Sequence, residues 1–327
     1  MTSVSIVIPV YNAEGSLKEL YNRLIPAMET ATNQFEVIMV EDCGADNSWD
    51  IISKLAERDQ RIRAIRLSRN YGQHNALLCG IRAARYSTIV TMDDDLQNPV
   101  SEIPVLLAKL AEGYDVVYGT PQKEQHGMLR NIASRITKLA LKSAMGVDTA
   151  GNVSAFRAFR SRLREGFKEY RSPFVSIDVL LTWSTSSFAA VSVFHESRQQ
   201  GKSNYTFSKL IRHALNLMTG FSTLPLQIAS FTGFAFTFLG ICLLIYVVSK
   251  YLLLGGSVPG FTFLASIIAI FSGVQLFTLG IFGEYLARIH FRTMDRPPYL
   301  VTFDSSSSHA TNPIAINNKA EEYDGLS

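Results

Sequence analysis

Between Arg212 and Glu284 this chain almost lacks charge: Lys250 is the single formally charged residue there, and His213 the only other titratable basic group. Buried core helices seldom run that far without charge, and a helix needs ~20 apolar residues to cross ~30 Å of hydrocarbon. Two segments, 226–249 and 261–286, reach that length, separated by the turn Gly255-Gly-Ser-Val-Pro-Gly260. They are expected to form a transmembrane hairpin in a lipid bilayer, with both ends on one side.

Cysteine is scarce too. Cys43, Cys79 and Cys242 show neither metal-like nor disulfide-like spacing, which suits a reducing compartment. The opening MTSVSIVIPVYN has no basic n-region or cleavage site, so export of the first 200 residues is not expected. A net charge of +3, with no basic stripe interleaved with aromatics, argues against a nucleic-acid partner. No P-loop and no Gly-x-Gly-x-x-Gly follows the first strand-like run, which disfavours nucleoside triphosphate hydrolysis and dinucleotide redox chemistry. His74 and His195 have no ligand-spaced partners, so metal binding by histidine is not expected.

Basic residues are unevenly placed around the apolar segments. Lys209 and Arg212 precede the first and Arg288, Arg292 and Arg296 follow the second, against Lys250 alone near the turn. By the positive-inside rule the N-terminal domain and the tail are cytoplasmic, in an integral protein of the cytoplasmic membrane.

The first 120 residues alternate. Apolar runs at Val4–Val10, Phe35–Val40, Ile62–Leu67, Thr88–Met92 and Val116–Tyr118 read as buried parallel strands, with helical patterns between them. Ser16 with Glu19 suggests a capping box ahead of Leu17, Leu20, Leu24 and Met28 on one helix face. The fold class is therefore α/β, an open and mostly parallel sheet whose ligand site lies outside the carboxyl ends of the strands.

Polar clusters fall at that edge: Pro9, Tyr11, Asn12 and Glu14 after strand one; Glu41 and Asp42 at the end of strand two; Arg69, Asn70 and His74 after strand three; Asp93, Asp94 and Asp95 after strand four. Adjacent carboxylates repel, so such a run faces open water or holds a cation. Asp93 and Asp95, with Gln97 on the next turn, suit a hard divalent cation such as Mg²⁺ or Mn²⁺, completed by a diphosphate. Asp42 and Glu14 are suited to hydrogen-bonding a base and ribose.

The stretches SIVIPVYNAEGSL, VEDCGADNSWD, LSRNYGQHNALLCG, DDDLQNP and ESRQQGKSNYTFSKL, then two spans, GIFGEYLARI and RPPYLV, resemble the membrane-anchored polyprenyl-phosphate glycosyltransferases of glycosyltransferase family 2. The resemblance runs from Val4 to Val301 and implies a GT-A-type fold. It places Pro9, Tyr11, Glu14 and Asp42 at nucleotide-contacting positions, and Asp93, Asp95 and Gln97, with Asp94 beside them, at the metal and diphosphate. Arg130 and Ser134 would receive the lipid phosphate; Arg198 and Ser203 would lie near the leaving diphosphate and the acceptor. Asn204 stands where many relatives carry Lys, and Asn152-Val-Ser-Ala-Phe-Arg157 lacks the Asp that often precedes Phe-Arg, a place where specificity can differ.

The expected organisation is a catalytic domain over 1–205, an amphipathic interfacial helix over 206–223, two transmembrane helices within 224–290, and a cytoplasmic tail from 291 to 327, disordered from about 304. The expected reaction is inverting transfer of a sugar from a nucleotide-sugar donor, a UDP-sugar, to undecaprenyl phosphate or a similar polyprenyl phosphate. The alternatives are transfer to a glycan or protein hydroxyl, with Asp178 as general base, and a scaffold that binds nucleotide-sugars without turnover. Asp178 otherwise reads as a helix cap, Trp49 and Trp183 as packing residues, and Glu284 with Arg288 as an ion pair one turn apart. Gly233, Gly240, Gly273 and Gly280 offer a surface for homo-oligomer formation.

Overall fold

The computed structural model describes residues 3–121, 152–194, 223–254 and 260–306. They fall into two compact units: a sheet unit (3–121, 152–194 and 297–306) and a helical unit (223–254 and 260–296).

In the sheet unit, β1 (Val4–Val10), β2 (Phe35–Glu41), β3 (Ile62–Leu67), β4 (Thr88–Thr91) and β5 (Val116–Pro121) match the five apolar runs. Helices α1 (Leu17–Ala31), α2 (Ser48–Arg58), α3 (Gln73–Ala83) and α4 (Ile103–Ala111) lie between them. Three strands were not anticipated: β6 (Arg157–Arg160), β7 (Phe188–Val193) and β8 (Val301–Asp304). The strand order is β7-β5-β6-β4-β1-β2-β3-β8. Because β6 inserts antiparallel between β4 and β5, the sheet is mixed, with four parallel and three antiparallel pairings. β6 escaped notice because Arg-Ala-Phe-Arg has no apolar run, and a strand between two others needs none if its side chains find partners there.

Helix α1 buries Leu17, Leu20, Leu24 and Met28, as their spacing implies. The expected capping box does not form. Ser16 is already helical in backbone, its hydroxyl donates to the Ala13 carbonyl at 3.1 Å, and Glu19 pairs with Arg23 one turn on. On the other face, α3 lies close against β1 and β2 at Gly80. A Cβ there would stand 2.4 Å from Val7 Cγ1 and 3.2 Å from Val40 Cγ2. Gly80→Ala is expected to cost about 1–3 kcal/mol through this overlap, outweighing alanine's better helix propensity of about 1 kcal/mol. A thermal melt at or above that of the unsubstituted protein would show that α3 has room to shift.

Residues 297–306, read above as part of the tail, belong to the sheet. β8 pairs antiparallel with β3, Arg63 makes a two-pronged contact to Asp304 at 3.0 and 2.6 Å, and Phe303 meets the Trp49 ring edge-on at 5.3 Å. Only β3 and its neighbours supply these partners, so four residues with little pattern of their own become a strand. Residues 307–327 lie outside the described residues, as do 195–222, which include the expected interfacial helix.

The helical unit holds two long helices, a first arm (Leu224–Leu254) and a second arm (Phe261–Thr293); the sheet unit adds a short helix, Ile177–Thr182. At 31 and 33 residues these arms are about 46 and 50 Å long at ~1.5 Å per residue, more than ~30 Å of hydrocarbon requires. Both are apolar and long enough to cross a membrane, and both present large apolar side chains such as Phe231, Phe238, Leu253 and Leu276 outward. The second arm runs past the expected end at 286 and stops where Asp295 turns left-handed (φ 48°), just before Pro297 and Pro298. Gly240 lets Phe271 approach within 3.2 Å of where its Cβ would be, so it serves packing between the two arms. Glu284 and Arg288 pair at 2.9 Å as expected.

Candidate active site

The site begins where β1 and β4 part. The Val7 carbonyl accepts the Met92 amide, so the backbone of Val7, and of Pro9 two residues on, faces β4. Pairing with β4 ends at Val7 and Thr91. Pro9, which has no N–H to give, stands where no β4 partner remains, while β1 and β2 stay joined as far as the Asp42 amide on the Val10 carbonyl. A crevice therefore opens between neighbours whose connections run in opposite directions, the switch point where open α/β sheets bind ligands.

Two loops on one side of the crevice are laced together. Asn12 accepts the Ala45 amide at 2.8 Å, Asp46 the Glu14 amide at 2.9 Å, and Ser48 the Ala13 amide at 2.9 Å. The Glu14 carboxylate takes both the backbone and side-chain N–H groups of Asn47, at the N-terminus of α2. Asp42 is buried and accepts the Tyr71 and Gly72 amides, each at 2.7 Å; burial nonetheless raises its pKa, with Glu41 adding to the effect. Of the residues expected to meet a nucleotide, Pro9 is thus buried in β1, Glu14 and Asp42 hold loop backbone, and Tyr11 is half exposed.

Across the crevice stand the three carboxylates. Asp94 accepts the Tyr11 amide at 3.2 Å, clasping β1's loop to β4's. Asp93 accepts the Gln73 side chain at 2.7 Å, and Asp95 the Gln97 amide at 3.1 Å. Gln73 was not among the expected site residues, since one glutamine in a polar loop carries no signal until α3 aims it. Asn12, Cys43 and Leu96 adopt left-handed backbone (φ 52°, 54° and 60°), so three loops at this edge hold costly conformations. The Asp94 carboxyl is pushed up to about 7 by burial, against the Tyr11 amide, with Asp93 and Asp95 raising it further. An oxygen-only set with this much crowded negative charge fits a hard divalent cation. Among the described residues no three His, Cys, Asp or Glu side chains form a complete metal cluster, so a bound ion would draw further oxygens from water or substrate. Arg130, Ser134, Arg198 and Ser203 lie outside the described residues.

Directly beneath this edge is a buried ion pair. Thr91 is registered with Arg157, and Arg157 with Tyr118, so all three side chains share the α3 face of the sheet. Asp178, in the first turn of the helix Ile177–Thr182, pairs with Arg157 and accepts the Tyr118 hydroxyl at 3.0 Å. Arg157, Tyr118 and Asp178 are all buried. Asp178 is therefore neither the expected cap nor a base open to an acceptor.

The glycosyl transferase family 2 model matches residues 5–171, which contain every element of the crevice. The chain belongs to this family. This glycosyltransferase is 37% identical, over 91% of both chains, to an undecaprenyl-phosphate 4-deoxy-4-formamido-L-arabinose transferase of Shewanella sediminis. Proteins of the same name from Yersinia pestis (35% identical, 91% of this chain and 92% of that one) and Pseudomonas aeruginosa (34%, 96% and 93%) are similar. Among solved structures, glucosyl-3-phosphoglycerate synthase of Mycobacterium tuberculosis with Mn²⁺, UDP-glucose and phosphoglyceric acid shares 17% identity over 67% of this chain and 79% of its own, at a TM-score of 0.49. The mostly parallel sheet followed by two apolar C-terminal helices, both candidate membrane spans, agrees with the GT-A-type plan expected above.

Proposed function

We propose that this glycosyltransferase moves one sugar from a UDP-sugar to undecaprenyl phosphate at the cytoplasmic face of the membrane, inverting the anomeric carbon. The observation that carries the reading is the extent of the likeness to undecaprenyl-phosphate sugar transferases: 91% of both chains, so that it takes in the apolar helices as well as the sheet. A phosphate monoester is largely ionised at pH 7, its second pKa being about 6, so it needs no general base. A lipid phosphate oxygen forms the new bond to the anomeric carbon as the bond to the nucleotide diphosphate breaks, and the diphosphate leaves with the electron pair. The burial of Asp178 against Arg157 and Tyr118 supports a phosphate acceptor over a hydroxyl, because a hydroxyl would need the base that Asp178 no longer offers.

In this reading the loops locked by Asp42 and Glu14 shape the nucleotide pocket, with Tyr11 at its mouth. Asp93, Asp95 and Gln97 would hold Mg²⁺ or Mn²⁺, which neutralises charge on the departing diphosphate when bound. Asp94 keeps the two sides of the crevice in register. Arg130 and Ser134 would hold the acceptor phosphate in line, and Arg198 with Ser203 the diphosphate. By the positive-inside rule, the basic residues flanking the hairpin put both of its ends on the cytoplasmic side.

The test is to incubate detergent-purified protein with undecaprenyl phosphate, Mg²⁺ or Mn²⁺, and radiolabelled UDP- and GDP-sugars, among them nucleotide derivatives of 4-deoxy-4-formamido-L-arabinose, the sugar in the relatives' names. Label should pass into the organic phase with one UDP-sugar. Nucleotide binding without any lipid label would overturn the acceptor, and labelling from a GDP-sugar alone would overturn the donor.

A further inference from the structure

Residues 297–306 reach α3 along its length. Pro297 and Pro298 cannot continue the helix before them and hold φ near about −65°, so the chain arrives extended at Tyr299. The Tyr299 hydroxyl meets the Arg82 guanidinium and the Cys79 thiol, and the same guanidinium stands 5.8 Å from the centre of the Tyr299 ring. Cys79 and Arg82 are three residues apart, hence on one flank of the helix. The next residue, Leu300, accepts the Ser68 amide at 2.9 Å through its carbonyl. Ser68 opens the loop from β3 to α3, and its hydroxyl lies 3.0 Å from that of Tyr71. Further on, Asp304 holds Arg63, which donates through Nη1 to the carbonyl of Ala83, the last residue of α3, at 2.9 Å. One short segment thus touches the loop that leads into α3, the flank of the helix and, through Arg63, its C-terminal end.

The other ends of this loop and helix are the crevice. Asp42 accepts the amides of Tyr71 and Gly72 where the loop finishes, and Gln73, the first residue of α3, donates to Asp93. At ~1.5 Å per residue the 11 residues of α3 span about 16 Å, and so short a helix moves as a rod. Whatever fixes its flank and its C-terminal end therefore also fixes where Gln73 stands. The loop has equally little slack: only Arg69 and Asn70 separate the Ser68 amide, held by Leu300, from the Tyr71 amide, held by Asp42. The bonds to Asp42 and Asp93 are 2.7 Å long, at the short end of the N–H···O range, so small displacements of α3 or of the loop weaken them.

We infer that Tyr299, with the Leu300 carbonyl beside it, is a positioning residue for the donor site: through Arg82 and Cys79 it sets α3, and so Gln73 against Asp93 and the Tyr71 and Gly72 amides against Asp42. This rests on the reading above, in which Asp42 shapes the nucleotide pocket and Asp93 holds the metal. The test measures UDP binding by full-length protein in detergent with Mn²⁺, well below every variant's melting transition, where a contact that serves stability alone leaves the affinity unchanged. Tyr299→Ala should bind UDP about three- to tenfold more weakly, the size that such indirect couplings reach. Tyr299→Phe keeps the ring beside Arg82 and loses only the hydroxyl; it should melt close to the unsubstituted protein and still bind about two- to threefold more weakly, which decides the matter if the alanine variant does not fold. Phe303→Ala, which loses the Trp49 contact instead, should melt lower and bind UDP normally. Unchanged affinity in the Tyr299 variants, or an equal loss in Phe303→Ala, would overturn the positioning role. Absence of UDP binding by the unsubstituted protein would instead overturn the donor reading, the same variants then being compared with GDP, and absent lipid label bears only on the acceptor.

Discussion

Asp95→Asn should lower sugar transfer by about a hundredfold or more, a typical loss when a group that stabilises transition-state charge is removed. The substitution keeps an oxygen that can accept the Gln97 amide, so the loop and the melting temperature should be preserved while the negative charge is lost. Asp94→Asn provides the contrast. Its side-chain oxygen can still accept the Tyr11 amide, and Asp94 is not among the residues placed on the metal, so transfer should fall far less. Radiolabel assays on both variants decide the matter. Equal losses at the two positions would mean that the three carboxylates act as one charge, and near-normal transfer by Asp95→Asn would remove Asp95 from the site.

Asp178→Leu should destabilise the protein by about 3–5 kcal/mol, because it leaves Arg157 charged and uncompensated in the interior. For a domain of this size that is a fall in melting temperature on the order of 10 °C. Pairing it with Arg157→Met, which removes the stranded charge as well, should recover most of the loss. If Asp178→Leu alone melts like the unsubstituted protein, the pair contributes nothing to the fold. The same reasoning limits what Asp178→Asn can report: a drop in activity there reflects a weakened partner for Arg157 as readily as a missing base, so melting must be measured beside turnover.

The five apolar runs became β1 to β5 with boundaries shifted by three residues at most, since an apolar run flanked by turn residues is a local signal that survives folding. The expected capping box failed because its two residues had better partners close by, Ala13 for Ser16 and Arg23 for Glu19. Strands β6 and β8 were illegible for another reason. Each is four residues long, and each exists because other strands present an edge: β4 and β5 for the first, β3 alone for the second.

The crevice divides the same way. That Asp93, Asp94 and Asp95 would stand at the carboxyl edge followed from their place after an apolar run, and the two apolar helices followed from the missing charge, both being properties of neighbouring residues in the chain. That Asp94 clasps the Tyr11 amide, that Gln73 reaches Asp93, and that Asp178 neutralises Arg157 rather than serving as a base required residues up to 83 positions apart to be brought together. The sequence by itself determined which chemistry gathers at one edge of the sheet and that two long apolar helices follow it, because periodicity and charge are read along the chain. Only the tertiary structure decided which hydrogen-bond and ion-pair partners those carboxylates take, because most of those partners come from a different strand, helix or loop.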